Sequence, residues 1–132
     1  MLVLILSFSI CFSQGYNLKI IVKNLEGRKG NLSIGLFDNA DGFPKRGFGK
    51  LGADIPIQDS IVEYNFTQLE EGIYAVAIFN DENLNGKLDK SFFGWPTEDY
   101  LFSNYATGSF GPPEFKDASF LLDKDLEIIL KF

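Results

Sequence analysis

From Tyr16 the chain alternates. Leu18, Ile20 and Val22 recur at every second position, with Asn17, Lys19, Ile21 and Lys23 between them. Strand side chains point to opposite faces in turn, so this spacing predicts a strand with one buried face. Glu26-Gly27-Arg28-Lys29-Gly30 reads as a turn. Leu32, Ile34 and Leu36 repeat the period, with Gly35 as a candidate bulge. Ile61 to Phe66 predicts a third strand. Gly72 to Phe79, GIYAVAIF, predicts a fourth that is apolar on both faces, as a central strand would be. Ala118–Leu122 and Leu126–Phe132, parted by Asp123-Lys124-Asp125, read as a C-terminal hairpin.

No stretch holds a 3.6-residue period. DNADGFPKRGFGK, residues 38–50, reads as a loop in which Phe43 and Phe48 tuck against the core. The segment from Asn80 to about Glu114 has no sustained period. A loop of that length is uncommon in a compact domain and usually functional. We therefore expect an all-β chain: a single antiparallel β-sandwich of about seven strands with one long ordered loop.

Composition narrows the function. The chain has 132 residues, one domain's worth, and 14 of them are Phe, enough apolar bulk for one core. Net charge is −6, with no Lys/Arg cluster, which excludes nucleic acid as a partner and suits cations. His is absent and Cys11 is the single cysteine. That removes Ser-His-Asp and Cys-His pairs, ordinary zinc sites and disulfides.

MLVLILSFSICFSQG opens the chain without a charge. Its apolar run has the length of a signal-peptide core and is too short to span a bilayer. We expect a signal peptide over 1–14 and a mature domain over 15–132, periplasmic, secreted or at the cell surface, and not membrane-spanning. No Lys or Arg precedes the run, so a hydrophobic N-terminal strand is the alternative. Lipidation at Cys11 would need a small preceding residue, and Ile10 stands there.

DENLNGKLD, Asp81 to Asp89, places Asp81, Asn83 and Asn85 at alternate positions, then Gly86, then Lys87 and Asp89. This is the order of a calcium loop: side-chain oxygens at places one, three and five, a turn glycine, a backbone carbonyl from Lys87, and a ninth-place carboxylate. The twelfth place is Phe92 rather than Glu, so the run is not an EF-hand. Glu82, Glu98 or Asp99 would have to supply the missing carboxylate. Calcium is thus the expected cofactor, with weak affinity of about 10⁻⁴ to 10⁻³ M. The competing reading is a turn stabilised by Asx side chains without metal.

Phe92, Phe93, Trp95, Tyr100, Phe102, Tyr105 and Phe110 follow. They read either as a satellite core or as an exposed platform for a glycan or protein ligand. In the second reading Trp95, Tyr100 and Tyr105 supply flat faces, and Ser103 and Asn104 supply hydrogen bonds. Glu98, Asp99 and Glu114 are the best acid/base candidates. Paired carboxylates need a cleft for glycoside cleavage, and no nucleophile–base pair stands out, so we expect no enzyme.

Four stretches together resemble one family: GNLSIGLFDNADGFP (30–44), LEEGIYAVAIFNDENLNGKLD (69–89), FFGWPTEDYLFSNYA (92–106) and FGPPEFKDASF (110–120). They are similar to the DUF2141 family of bacterial secreted proteins across nearly the whole mature chain. The resemblance implies an exported sandwich of prealbumin or transthyretin type. L-x-x-G-x-Y at Leu69, Gly72 and Tyr74 also occurs in such sandwiches. Asp99 stands where the family pattern has Gly, which adds a carboxylate.

Overall fold

The computed structural model describes residues 3–7, 15–84 and 99–132. The chain is mostly β, with eight strands in two sheets among the described residues. The strands are β1 (Tyr16–Lys23), β2 (Asn31–Phe37), β3 (Leu51–Pro56), β4 (Val62–Leu69), β5 (Gly72–Asp81), β6 (Tyr100–Phe102), β7 (Phe120–Leu122) and β8 (Leu126–Lys131). A 3₁₀ turn at Ser103–Tyr105 and the short helix α1 (Phe115–Ala118) complete the fold. Residues 3–7 lie outside the strands, and Val3 to Leu6 are exposed. No helix among the described residues is long and apolar enough to cross a membrane.

One sheet has the order β4-β1-β8 and the other β3-β2-β5-β6, with β7 also paired to β5. The period-two positions dictate the core. Leu18, Ile20 and Val22 of β1 and Val62 and Phe66 of β4 meet Leu32, Ile34 and Leu36 of β2 and Tyr74, Val76 and Ile78 of β5 in one buried cluster. Each fully buried Leu or Ile contributes roughly 1.5–3 kcal/mol. β5 is central, as its doubly apolar sequence requires: β2 lies along one side and β6 and β7 share the other.

Three expectations change. The C-terminal strands form no hairpin. β7 pairs antiparallel with β5, whereas β8 runs parallel to β1 in the other sheet, so the architecture is not purely antiparallel. The turn between them carries the chain from sheet to sheet, and Asp125 Oδ1 accepts the Asn17 backbone N–H at 2.8 Å, pinning β8 beside β1. Gly35 is no bulge: it pairs in regular register with Gly52 and Ala77, and the irregularity lies between Tyr16 and Leu18. Eight strands stand where about seven were expected: alternation shows six, and β3 and β6 are the two it does not show. β3 is an edge strand, where its terminal Pro56 costs no ladder bond.

The outer face of the five-stranded sheet carries a second cluster. Phe37, Ala75, Ala77, Phe102 and Ala118 are buried there under Phe43 and Phe115. Phe43 sits edge-on to Phe37 at 5.0 Å and to Phe115 at 5.8 Å, anchoring the 38–50 loop as expected. Phe48 does not tuck in; it is 64% exposed.

Candidate functional site

β5 delivers the oxygen-rich run. Strand alternation puts Phe79 and Asp81 on the outer face and Asn80 inward with Tyr74, Val76 and Ile78. Asp81 pairs with Asn31 across the ladder and is only 3% exposed. Gly30 closes over it: with φ of +82°, it brings its Cα side so near the Asp81 carbonyl that an added Cβ would lie 2.1 Å from that oxygen. Asn80 holds the same turn from inside. Its Nδ2 donates to the carbonyls of Lys29 (2.8 Å) and Asn31 (3.4 Å), while its buried Oδ1 has no hydrogen-bond partner among the described residues.

Beyond Asp81 the chain turns outward. Glu82 and Asn83 are exposed, and Leu84 takes a left-handed φ of 58°. Asn85, Lys87, Asp89, Trp95 and Glu98 lie outside the described residues. The chain reappears at Asp99, whose carbonyl accepts the Asn80 backbone N–H at 3.0 Å. The two ends of the excursion are thereby tied together. The Asp99 carboxylate faces the Arg28 guanidinium at 2.8 Å, and Arg28 also stacks over the Phe132 ring at 4.2 Å. A carboxylate so paired is less available as an additional metal ligand. Among the described residues no three metal-ligating side chains converge.

Ser103 turns inward on the fold, whereas Asn104 and Tyr105 are exposed, Tyr105 by 55%. Ser103 is completely buried; its Oγ accepts the Val76 N–H at 2.9 Å and donates to the Ala118 carbonyl at 2.5 Å. A hydroxyl enclosed in that way does not meet a surface ligand. Asn104 Nδ2 donates to the Ser119 carbonyl at 2.8 Å, fixing the end of α1. The Tyr105 hydroxyl accepts the Lys131 N–H at 3.1 Å, reaching the edge of the other sheet. Tyr100 remains at the surface, 38% exposed, opposite Phe79 and 5.3 Å from the Phe102 ring. Phe102 itself is core. Glu114 pairs with Lys116 at 3.1 Å, both largely exposed.

Burial also acts on a tyrosine outside this region. Desolvation pushes the Tyr74 hydroxyl above its ordinary pKa of 10.0. That hydroxyl donates to the Glu70 carbonyl at 2.7 Å.

Compared with known proteins, the chain matches a family model described as "Uncharacterized protein conserved in bacteria (DUF2141)" over residues 20–129. No curated protein and no solved structure matches it.

Proposed function

We propose that this chain, which belongs to the DUF2141 family, is an exported, non-catalytic β-sandwich module of the bacterial envelope with a prealbumin-like plan. Its run Asp81–Asp89 takes a calcium ion and orders the aromatic segment that follows, for a structural or binding role. The observation that carries the reading is the burial of Asp81 at the mouth of the run, 3% exposed. Asp81 is also the first donor of the oxygen-rich order. Asn83 follows in place, and Asn85, Lys87 and Asp89 would complete the set. The core shared by the two sheets supports the sandwich plan. The exposed apolar side chains Val3 to Leu6, outside both sheets, support an export segment.

The test is a thermal melt in millimolar calcium and again in excess chelator, for the parent and for Asp81→Asn. Calcium at ~100 times its dissociation constant stabilises by about 2.7 kcal/mol. The parent melts higher with calcium, and Asp81→Asn, which keeps shape but loses charge, does not respond. Equal melts in both buffers refute the reading. The second reading is glycan or peptide binding through the aromatic segment, favoured by the half-exposed Tyr100 beside Phe79.

A further inference from the structure

Gly52 has no structural reason to be glycine. Its φ is not left-handed, and a Cβ added there would meet only the Ile34 carbonyl, at 3.4 Å. A glycine inside a strand weakens it by about 0.5–1 kcal/mol and often marks a place where a ligand approaches the backbone. Across the ladder lie Gly35 and then Ala77. Three strands therefore contribute their smallest residues to one row; the Phe37 ring packs against Gly35 and Ala77 is buried, so the floor is open at Gly52. The next row supplies one wall: Asp54, Ser33 and the half-buried Phe79. The 44–50 loop supplies the other, anchored below by Phe43. The trough between them measures about 420 Å³, within the ~300–1,000 Å³ typical of small-molecule sites.

Its polar groups set the ligand class. Arg46 reaches from the loop to the far wall, where its Nε donates to Ser33 Oγ at 3.3 Å and its Nη2 pairs with Asp54. Lys50, the other cation of the lining, pairs with Asp38 at 3.6 Å. The cations are matched by carboxylates, so an ionic ligand gains from one charge what it loses to the other. A neutral polyol does not face that conflict: its vicinal hydroxyls donate to Asp54 and accept from Arg46, and both side chains are about two-fifths exposed. The Phe79 and Phe37 rings and the open backbone at Gly52 suit the C–H face of a sugar ring. We propose that this trough binds one neutral hexopyranose ring. It shares no residue with Asp81–Asp89, so it stands or falls separately from the calcium reading.

The probes are methyl glucopyranoside, methyl galactopyranoside, methyl mannopyranoside and N-acetylglucosamine, with methyl glucuronoside and trialanine as the charged and peptide comparisons. Backbone amide shifts are followed by NMR in chelator. At least one neutral sugar shifts Gly35, Gly52, Ala77 and Phe79 together. Gly52→Val fills the floor and lowers that affinity at least tenfold without lowering the melting temperature, since valine suits a strand. Asp54→Asn, which breaks the charge match without adding bulk, also weakens it. The proposal is overturned if no neutral sugar shifts the trough, if the shifts gather at residues 99–105, if the glucuronoside or the peptide binds more tightly, or if Gly52→Val binds like the parent.

Discussion

Replacing Ser103 by alanine removes one hydroxyl from a gap in the sheet. On the open side of β5, β6 pairs with Ala77 to Phe79 and β7 with Gly72 to Tyr74. Neither reaches Val76. The Ser103 hydroxyl takes the place of the missing strand, accepting the Val76 N–H and donating to the Ala118 carbonyl, at a position with no exposure. In Ser103→Ala both backbone groups are stranded away from water. Each unsatisfied buried group costs about 1–3 kcal/mol, so the variant loses roughly 2–6 kcal/mol. That is a large share of a typical domain's ~5–15 kcal/mol. The assay is urea unfolding with an unchanged slope and a lower midpoint, joined to hydrogen exchange at the Val76 amide. A loss under about 1 kcal/mol, or full protection at Val76, refutes the idea that this hydroxyl substitutes for a ladder bond.

Two further outcomes follow from local geometry. Gly30→Ala combines a left-handed φ of +82° with a Cβ 2.1 Å from the Asp81 carbonyl, so it should destabilise by more than about 1–2 kcal/mol and displace Asp81; an unchanged urea midpoint would count against this packing. Tyr74 gives a pH dependence of definite sign. Its folded pKa is raised by burial, so the unfolded chain loses the proton first as pH climbs past 10.0. The stabilisation is complete below that value and is lost as pH rises through the folded pKa. The urea midpoint should fall at alkaline pH in the parent, and Tyr74→Phe should flatten the fall; parallel slopes for the two would sink the argument.

Alternation made β1, β2, β4 and β5 readable because each buries one face, or both, against fixed neighbours. The same signal says nothing about which sheet a strand joins. Leu122 and Leu130 both face the core, and only the tertiary path through Asp125 shows that they belong to different sheets. β3 was missed because LGADIP, residues 51–56, carries Gly and Pro, which an edge strand tolerates and a local pattern reads as loop. β6 has three residues, too few to show a period. The burial of Ser103 is not legible for a related reason. Ser103 looks like a surface hydrogen-bonding group yet is fully buried, and Asn104 and Tyr105, which do lie at the surface, also bond to backbone that the short elements leave open. Backbone demand of that kind is not visible in residue type. A glycine at 52 beside small residues at 35 and 77 is visible, but only the register shows that they form one row.

Asn80 tests how the end of β5 is held. It is fully buried and spends its amide N–H groups on the carbonyls of Lys29 and Asn31, while Oδ1 finds no partner among the described residues. Two terms oppose each other in Asn80→Leu. The branched shape is kept with some added bulk, and an unpaired oxygen leaves the core, a gain of about 1–3 kcal/mol. Two carbonyls lose their donor, but Lys29 is exposed in the β1–β2 turn and Asn31 is only half-buried at the start of β2, so water can replace the amide. The terms are of equal size, so Asn80→Leu should fall within about 1 kcal/mol of the parent in urea unfolding. Asn80→Asp has the same shape and behaves differently. It puts an acceptor where a donor stood, against two carbonyl oxygens, and it should destabilise by several kcal/mol at neutral pH and recover as acid protonates it. A loss above about 3 kcal/mol in Asn80→Leu would mean that the clamp on Lys29 and Asn31 outweighs the orphan oxygen. The turn that positions Gly30 over Asp81 would then depend on Asn80 from inside as it depends on Gly30 from outside.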